Sequence, residues 1–334
     1  MSRIDDFNQK LDQLNLVGYW GIPRSESFEP KASFQPTLWR WEDVYGALME
    51  AGDVLGMDDS LRRFIAFKSI GKVRTTHTLA LGVQLVKPGE VARAHRHTMG
   101  AIRFVLQGGG AQTTVEGEPF PMEPGDFITT PSRTWHDHYN GSDKPIVWLD
   151  GIEAPLMGLL EIGFAEIFSS DRQPQTRPVE SSRHELGAAR PAWMKADSKQ
   201  PPPYRYKWAD TEKALKALGE TPGDPHDGLL LRYVNPLTGR PTLPTFSCEI
   251  QMLRPGETTK AHRHTSTAIY HAFRGSGFTD VGGARFDWKQ GDSFTVPLWT
   301  THRHGNTARE PAILFSMNDR PLMEALDFYR EEER

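Results

Sequence analysis

The 334-residue sequence predicts a mainly β protein built as two antiparallel barrels, with helices before the first and after the second. Three observations carry this expectation. Over residues 76–150 short apolar runs are broken by PGE, GGG, EGEP, EPGD and NGSD, the texture of strands and tight turns. The same texture returns over 229–317. The two stretches also repeat one another: GEVARAHRH (89–97) and PGDFITTPSRTWHDHYN (124–140) answer to GETTKAHRH (256–264) and QGDSFTVPLWTTHRHGN (290–306). The separation is 167 residues from His95 to His262 and 166 from His136 to His302, which marks a duplication.

In chain order, residues 1–66 read as a helical preface. Ile4, Phe7, Leu11 and Leu14 recur at helical spacing behind a Ser2 cap, and WEDVYGALMEAG reads as a second helix stopped by Gly52. Residues 67–168 form the first barrel. Residues 169–226, rich in Pro, Ser and charge, read as a linker with one helix in DTEKALKALGE that ends at Gly219. Residues 227–318 form the second barrel. In 319–334, PLMEALDFYREEER opens with proline and reads as a closing amphipathic helix.

With 37% hydrophobic and 25% charged residues the chain has enough apolar surface for two cores, which argues against disorder. A net charge of -4 supplies no basic field for nucleic acid or an acidic membrane, so a small molecule is the expected partner. The single cysteine, Cys248, has no internal disulfide partner and sits in an apolar strand-like run, as an inert thiol in a reducing compartment would. The opening MSRIDDFNQKLDQLNL lacks an apolar signal core, and no run of about 18 apolar residues occurs, so the expected location is the cytoplasm.

Eight of the 12 histidines form four His-x-His pairs. In a strand, residues i and i+2 share a face, so His95 with His97, and His136 with His138, direct their rings into one barrel interior. Neutral imidazole ligates Fe, Mn, Zn, Cu or Ni, and two strands can converge on one ion. A lone histidine on an apolar face is usually structural, but that reading does not explain four pairs placed in repeat.

Both halves resemble the two cupin motifs, Gly-x5-His-x-His and then Gly-x5-Pro-x4-His-x3-Asn. The second motif is written as Gly125, Pro131, His136 and Asn140, and again as Gly291, Pro297, His302 and Asn306. Cupins often add a glutamate ligand after the His-x-His pair. Here that place holds Ala101 or Ile102, and Ala268 or Ile269 in the second copy, which counts against readings similar to oxalate decarboxylase or germin. Finer resemblance is to the gentisate 1,2-dioxygenase group, which includes salicylate and 1-hydroxy-2-naphthoate dioxygenases. It is carried by PTLWRWEDV, LRRFIAF, TLALGVQLVKPGEVARAHRH, AIRFVLQGGG, PGDFITTPSRTWHDH, VWLDG, LRYVNPLTG, AIYHAFRGSG and SMNDRPLMEALDFYREE. The resemblance implies a bicupin of two double-stranded β-helix (jelly-roll) barrels, often a homotetramer. It further implies Fe(II) at His95, His97 and His136, and O2 opening the ring of a small aromatic acid between its carboxyl- and hydroxyl-bearing carbons. It assigns Arg62, Gln84, Arg103, His138 and Asp150 to the substrate pocket or its support.

Read from the residues themselves, Arg103 shares the parity of His97 and is a candidate to hold a carboxylate by charge-assisted bonds; its other reading is a surface arginine. Arg62 and its neighbour Arg63 are equal candidates by local sequence, and either is solvated in the plainer reading. His138 is a candidate to move the phenol proton or only to orient a ligand. Gln84 and Asp150 are pocket walls at least. Met99, in Thr98-Met99-Gly100-Ala101, departs from the polar or small residues of gentisate-specific relatives, so it either reads the ring substituent or packs in the core. Phe64 and Ala80 are further candidates to shape the pocket. This ranks gentisate first and 5-substituted salicylates, including 5-nitrosalicylate, second. In the second barrel His262, His264 and His302 keep a ligand set, but Tyr270 stands where Arg103 does and nothing matches the basic pocket, so any second metal is expected to be structural. The competing class is a bicupin that binds metal or a small molecule without catalysis.

Overall fold

The computed structural model describes residues 2–21, 29–56, 62–186 and 201–334. Residues 57–61 of the preface and 187–200 of the segment read as a linker lie outside the described residues. Residues 1–31 form one compact unit and 32–334 another. In the first, α1 (Arg3–Gln13) starts at a capping box in which Ser2 accepts from the Asp5 amide and Asp5 from the Ser2 amide. Its apolar stripe stays exposed at Ile4, Phe7 and Leu14.

The second unit runs β1 (Leu38–Trp39), α2 (Trp41–Val54), β2 (Arg63–Ala66), β3 (Ala80–Val86), β4 (Val91–His97), β5 (Ala101–Gln107), β6 (Ala111–Val115), β7 (Glu118–Met122), β8 (Phe127–Thr130), β9 (His136–Asn140) and β10 (Ile146–Ile152). It continues through α3 (Ala154–Leu159), β11 (Ala165–Ile167), α4 (Ser181–Glu185), β12 (Tyr204–Tyr206), α5 (Trp208–Leu218) and β13 (Leu229–Arg232). Then come β14 (Ser247–Leu253), β15 (His262–His264), β16 (Ala268–Arg274), β17 (Ser276–Val281), β18 (Ala284–Lys289), β19 (Ser293–Val296), β20 (His302–Gly305), β21 (Ala312–Asn318), α6 (Arg320–Ala325) and β22 (Glu331–Glu333). Helix α2 runs past Gly52 to Val54, because Gly52 is buried and its missing side chain admits Leu85.

Each barrel is a six-stranded sheet facing a five-stranded one, as the predicted jelly rolls require. The first has orders β12-β8-β5-β10-β3-β2 and β11-β4-β9-β6-β7; the second has β1-β19-β16-β21-β14-β13 and β18-β17-β20-β15-β22. The two orders correspond strand for strand, with one exchange: β1, from before the first barrel, edges the second, and β12, from before the second, edges the first. Their helices follow suit. The Trp41 amide donates to Asp292 Oδ1 at 2.8 Å, and the Trp208 amide to Asp126 Oδ1 at 2.9 Å. Each tryptophan, again 167 residues apart, covers the motif glycine beside that aspartate. Gly291 (φ 92°) and Gly125 (φ 86°) combine a left-handed turn with an indole so near that a Cβ would meet it at 2.4 and 2.7 Å, so no other residue fits. One core joins the barrels: Leu81, Phe104, Phe127 and Leu149 of the first pack with Phe246, Ile250, Phe315 and Met317 of the second, and Phe104 stacks on Phe315 at 4.2 Å. Cys248 lies in this core, fully buried, and burial pushes its thiol well above the ordinary range.

The tail differs from the helix its spacing predicts. Helix α6 stops at Ala325, Asp327 turns left-handed (φ 58°), and β22 pairs with β15. Strand pairing satisfies backbone groups that a frayed surface helix would leave to water. Among the described residues no helix is long and apolar enough to cross a membrane.

Candidate functional site

Strand geometry brings the predicted histidines together. β4 pairs antiparallel with β9, His95 opposite His136, and a bulge between Ala92 and His95 re-aims the end of β4. The rings of His95, His97 and His136 converge, with centroids 4.2, 4.9 and 5.4 Å apart, and all three are buried. Their possible ligand atoms all lie within 4.8 Å of one another.

The donor set suits a transition metal. Each Nδ1 faces a backbone carbonyl, His95 that of Arg93 (2.6 Å), His97 that of Met99 (2.8 Å) and His136 that of Thr134 (3.0 Å). A carbonyl only accepts, so Nδ1 keeps the hydrogen and Nε2 presents its lone pair. The Nε2 atoms of His95 and His136 are buried without a hydrogen-bond partner. Burial, reinforced by Arg62, brings His95 down to about 2 and His97 to about 4; burial with the neighbouring His95 holds His136 well below its ordinary value. The three rings are therefore neutral ligands at physiological pH. No carboxylate joins them, as Ala101 and Ile102 imply.

Beside the triad, β3, β10 and β5 present one more face. Asp150 stands opposite Arg103 and Gly82, and Trp148 opposite Gln84. Arg103 is 0% exposed; its Nη1 donates to Thr130 Oγ1 at 2.5 Å, and its Nε lies 3.9 Å from Asp150 Oδ1. Arg103 Nε and Nη2, both polar atoms of the Gln84 amide, Trp148 Nε1, Asp150 Oδ1 and His138 Nε2 are buried without partners. Such a concentration of unpaired polar atoms is rare outside sites that bind a ligand. Trp148 was not among the sequence candidates, although its parity with Asp150 in VWLDG was a usable signal.

His138 shares the interior with His136, its Nδ1 2.8 Å from Thr113 Oγ1 and its ring 5.0 Å from that of Trp148. The neighbouring arginines separate. Arg63 points to Glu90, bonded at 2.5 Å by each terminal nitrogen, and donates from Nε to the Leu55 carbonyl. Half-buried Arg62 instead belongs electrically to the centre. Burial lowers it to about 10, with Asp150 opposing and Arg103 adding to the shift. Met99 meets the centre through its carbonyl, and its side chain is half-buried. Phe64 lies opposite Gln84, and its ring closes over Gly82, where a Cβ would meet it at 2.7 Å; Ala80 is two residues further along that face.

The second barrel repeats the triad without the polar face. His262, His264 and His302 have centroids 4.4, 5.0 and 5.5 Å apart. Tyr270 opposite Ser316 replaces Arg103 opposite Asp150. Contrary to the expectation of no basic groups, Arg232 and Arg320 line its cavity, but each is paired, with Glu249 (2.7 Å) and Glu324 (2.6 Å).

A cupin-domain model matches residues 82–152 and 249–318, one stretch in each barrel. The chain is 39% identical to 5-aminosalicylate 1,2-dioxygenase of Comamonas sp., over 98% of this chain and 90% of the relative. It is 38% identical to gentisate 1,2 dioxygenase 1 of Aquipseudomonas alcaligenes, over 98% and 95%. The chain belongs to the gentisate and salicylate 1,2-dioxygenase family. The fold agrees with that of a solved member of this family, salicylate 1,2-dioxygenase from Pseudoaminobacter salicylatoxidans in adducts with gentisate. The TM-score is 0.92 at 28% identity, over all of this chain and 94% of the other.

Proposed function

We propose that this chain is an Fe(II)-dependent dioxygenase that opens the ring of a 2-hydroxybenzoate, with residues 67–168 as the catalytic barrel. The observation that carries this reading is the pairing of three neutral imidazoles with the cations Arg62 and Arg103, whose buried N–H donors lack partners. Iron(II) bound by His95, His97 and His136 supplies the electron transfer that lets O2 react with an aromatic ring. The imidazoles bring no negative charge, and a substrate carboxylate with its adjacent phenolate supplies it. Arg103, steadied by Asp150 and Thr130, and Arg62 bind the carboxylate. Gln84 and Trp148 offer donors along the ring. His138 Nε2 takes or holds the phenol proton while Thr113 fixes the imidazole. Both oxygen atoms enter the product, the bond between the carboxyl- and hydroxyl-bearing carbons breaks, and a ring-opened oxo-acid leaves.

Gentisate ranks first as substrate and 5-substituted salicylates second, with 1-hydroxy-2-naphthoate as a further alternative. We extend the reading to a cytoplasmic homotetramer, supported by the family resemblance and by the exposed apolar stripe on α1. Oxygen uptake by anaerobically iron-loaded protein, on gentisate, salicylate, 5-nitrosalicylate, 5-chlorosalicylate and 1-hydroxy-2-naphthoate, tests the activity. Full iron content with no uptake on any of them would establish the non-catalytic bicupin instead. Light scattering that returns a monomer would remove the tetramer.

Methionine offers no strong donor to a ring 5-hydroxyl, whereas glutamine does. Met99→Gln is therefore expected to raise the ratio of kcat/KM for gentisate over 5-chlorosalicylate. An unchanged ratio would show that this side chain does not read the substituent.

A further inference from the structure

The duplication extends past the barrels. At a separation of 166 residues, Pro155-Leu156-Met157 in α3 answers to Pro321-Leu322-Met323 in α6, and left-handed Glu161 answers to left-handed Asp327. The strands that follow each add an edge to the His-x-His strand. In the first barrel β11 sets Ala165 opposite His97 and Ile167 opposite His95. In the second β22 sets Glu331 opposite His264 and Glu333 opposite His262. One pair of positions is thus apolar beside one triad and doubly acidic beside the other.

Those acids are engaged with the triad. His262 Nδ1 lies 3.1 Å from Glu331 Oε1, where the matching His95 faces only a backbone carbonyl. Glu331 Oε2 accepts from the Tyr329 hydroxyl at 2.8 Å and stands 4.0 Å from Arg320 Nη1, so its carboxylate is fixed from two more sides. His226 stacks on His262 at 5.1 Å and reaches Glu333 at 3.5 Å. His262 Nε2 and His302 Nε2 are 2.9 Å apart, within reach of one ion. The cavity they share with His264, Tyr270, Tyr329 and Glu331 has a volume of about 40 Å³. That space suits an ion with a water or two, whereas a benzene ring needs a cavity on the order of 150 Å³.

We propose that the second barrel binds its own divalent transition-metal ion through His262, His264 and His302, and that Glu331 is the positioning residue that holds His262 for it. The carboxylate accepts the Nδ1 hydrogen, fixes Nε2 as the ligand atom and raises its basicity. Ser266 and Thr300 carbonyls do the same, without charge, for His264 and His302. Neither this ion nor Glu331 takes part in ring cleavage, so the assignment stands apart from the dioxygenase reading.

Metal-free protein titrated anaerobically with Co(II) is expected to take up two ions per chain by elemental analysis, and His136→Ala one. His262→Ala/His264→Ala is expected to bind only the first ion and, where it folds, to keep oxygen uptake. Glu331→Gln leaves fold and ligands intact. It is expected to weaken the second ion by about 10- to 100-fold, to shift its visible d–d bands, and to leave the metal-free melting temperature and oxygen uptake unchanged. A wild-type chain that binds one Co(II) ion would overturn the second site. Two ions, with the second held by Glu331→Gln as tightly as by the wild type, would overturn the role of Glu331.

Discussion

His136→Ala is expected to lose the iron of the first barrel and all ring-opening turnover together. His136 is 0% exposed at the start of β9, and it stands between the other two rings at 4.2 and 4.9 Å. Its removal leaves His95 and His97, which come from one strand and enclose the ion from one side only. Alanine supplies no donor, and buried Arg62 and Arg103 repel a cation that has lost part of its ligand set. Metal content and oxygen uptake, measured on protein shown by circular dichroism to be folded, check the result. Normal iron content with normal turnover would remove His136 from the centre. Because the second triad keeps its ion, elemental analysis should fall by one equivalent while uptake falls to background.

Replacing Arg103 by methionine is expected to lower kcat/KM about tenfold or more, from the loss of a charge-assisted interaction of about 1.5 to 3 kcal/mol. Methionine fills similar space without charge, so packing against Ile128 and Asp150 is largely kept. Asp150 retains Arg62 as a partner in charge, which limits the cost of orphaning its carboxylate. The loss should therefore appear in catalysis more than in folding. An unchanged kcat/KM in the folded, iron-loaded variant would show that the carboxylate binds elsewhere.

The histidine sites were legible because the signal is local: a spacing of two on a strand fixes a shared face, and the duplication supplies independent copies. Parity likewise carried Arg103 to the interior, and it would have carried Trp148 had the VWLDG strand been phased on Asp150. The choice between Arg62 and Arg63 was not legible. Alternation says that they point to opposite faces without saying which is which, and Glu90, 27 residues on, settles it. The strand at 331–333 was hidden for a similar reason, since its partner β15 lies some 70 residues away while its local spacing suits a helix. The preface and the linker read as unrelated connecting segments. Their equivalence rests on pairings such as Trp39 with Ser293 and Tyr206 with Phe127, which no local pattern encodes.

That crossed arrangement means the duplicated halves are interlocked rather than merely tethered. A chain cut between the barrels would leave β19 in one fragment and β8 in the other each lacking its outer neighbour, and each motif glycine stripped of its indole. Naked strand edges recruit a matching strand, and the matching strand for each fragment lies in the other. Two fragments supplied together should reassemble into one particle, whereas either alone should capture a second copy of itself by the same reciprocal clasp. In heat the intact chain should accordingly melt in one calorimetric step, because neither half has a folded state to which it can retreat when the other opens.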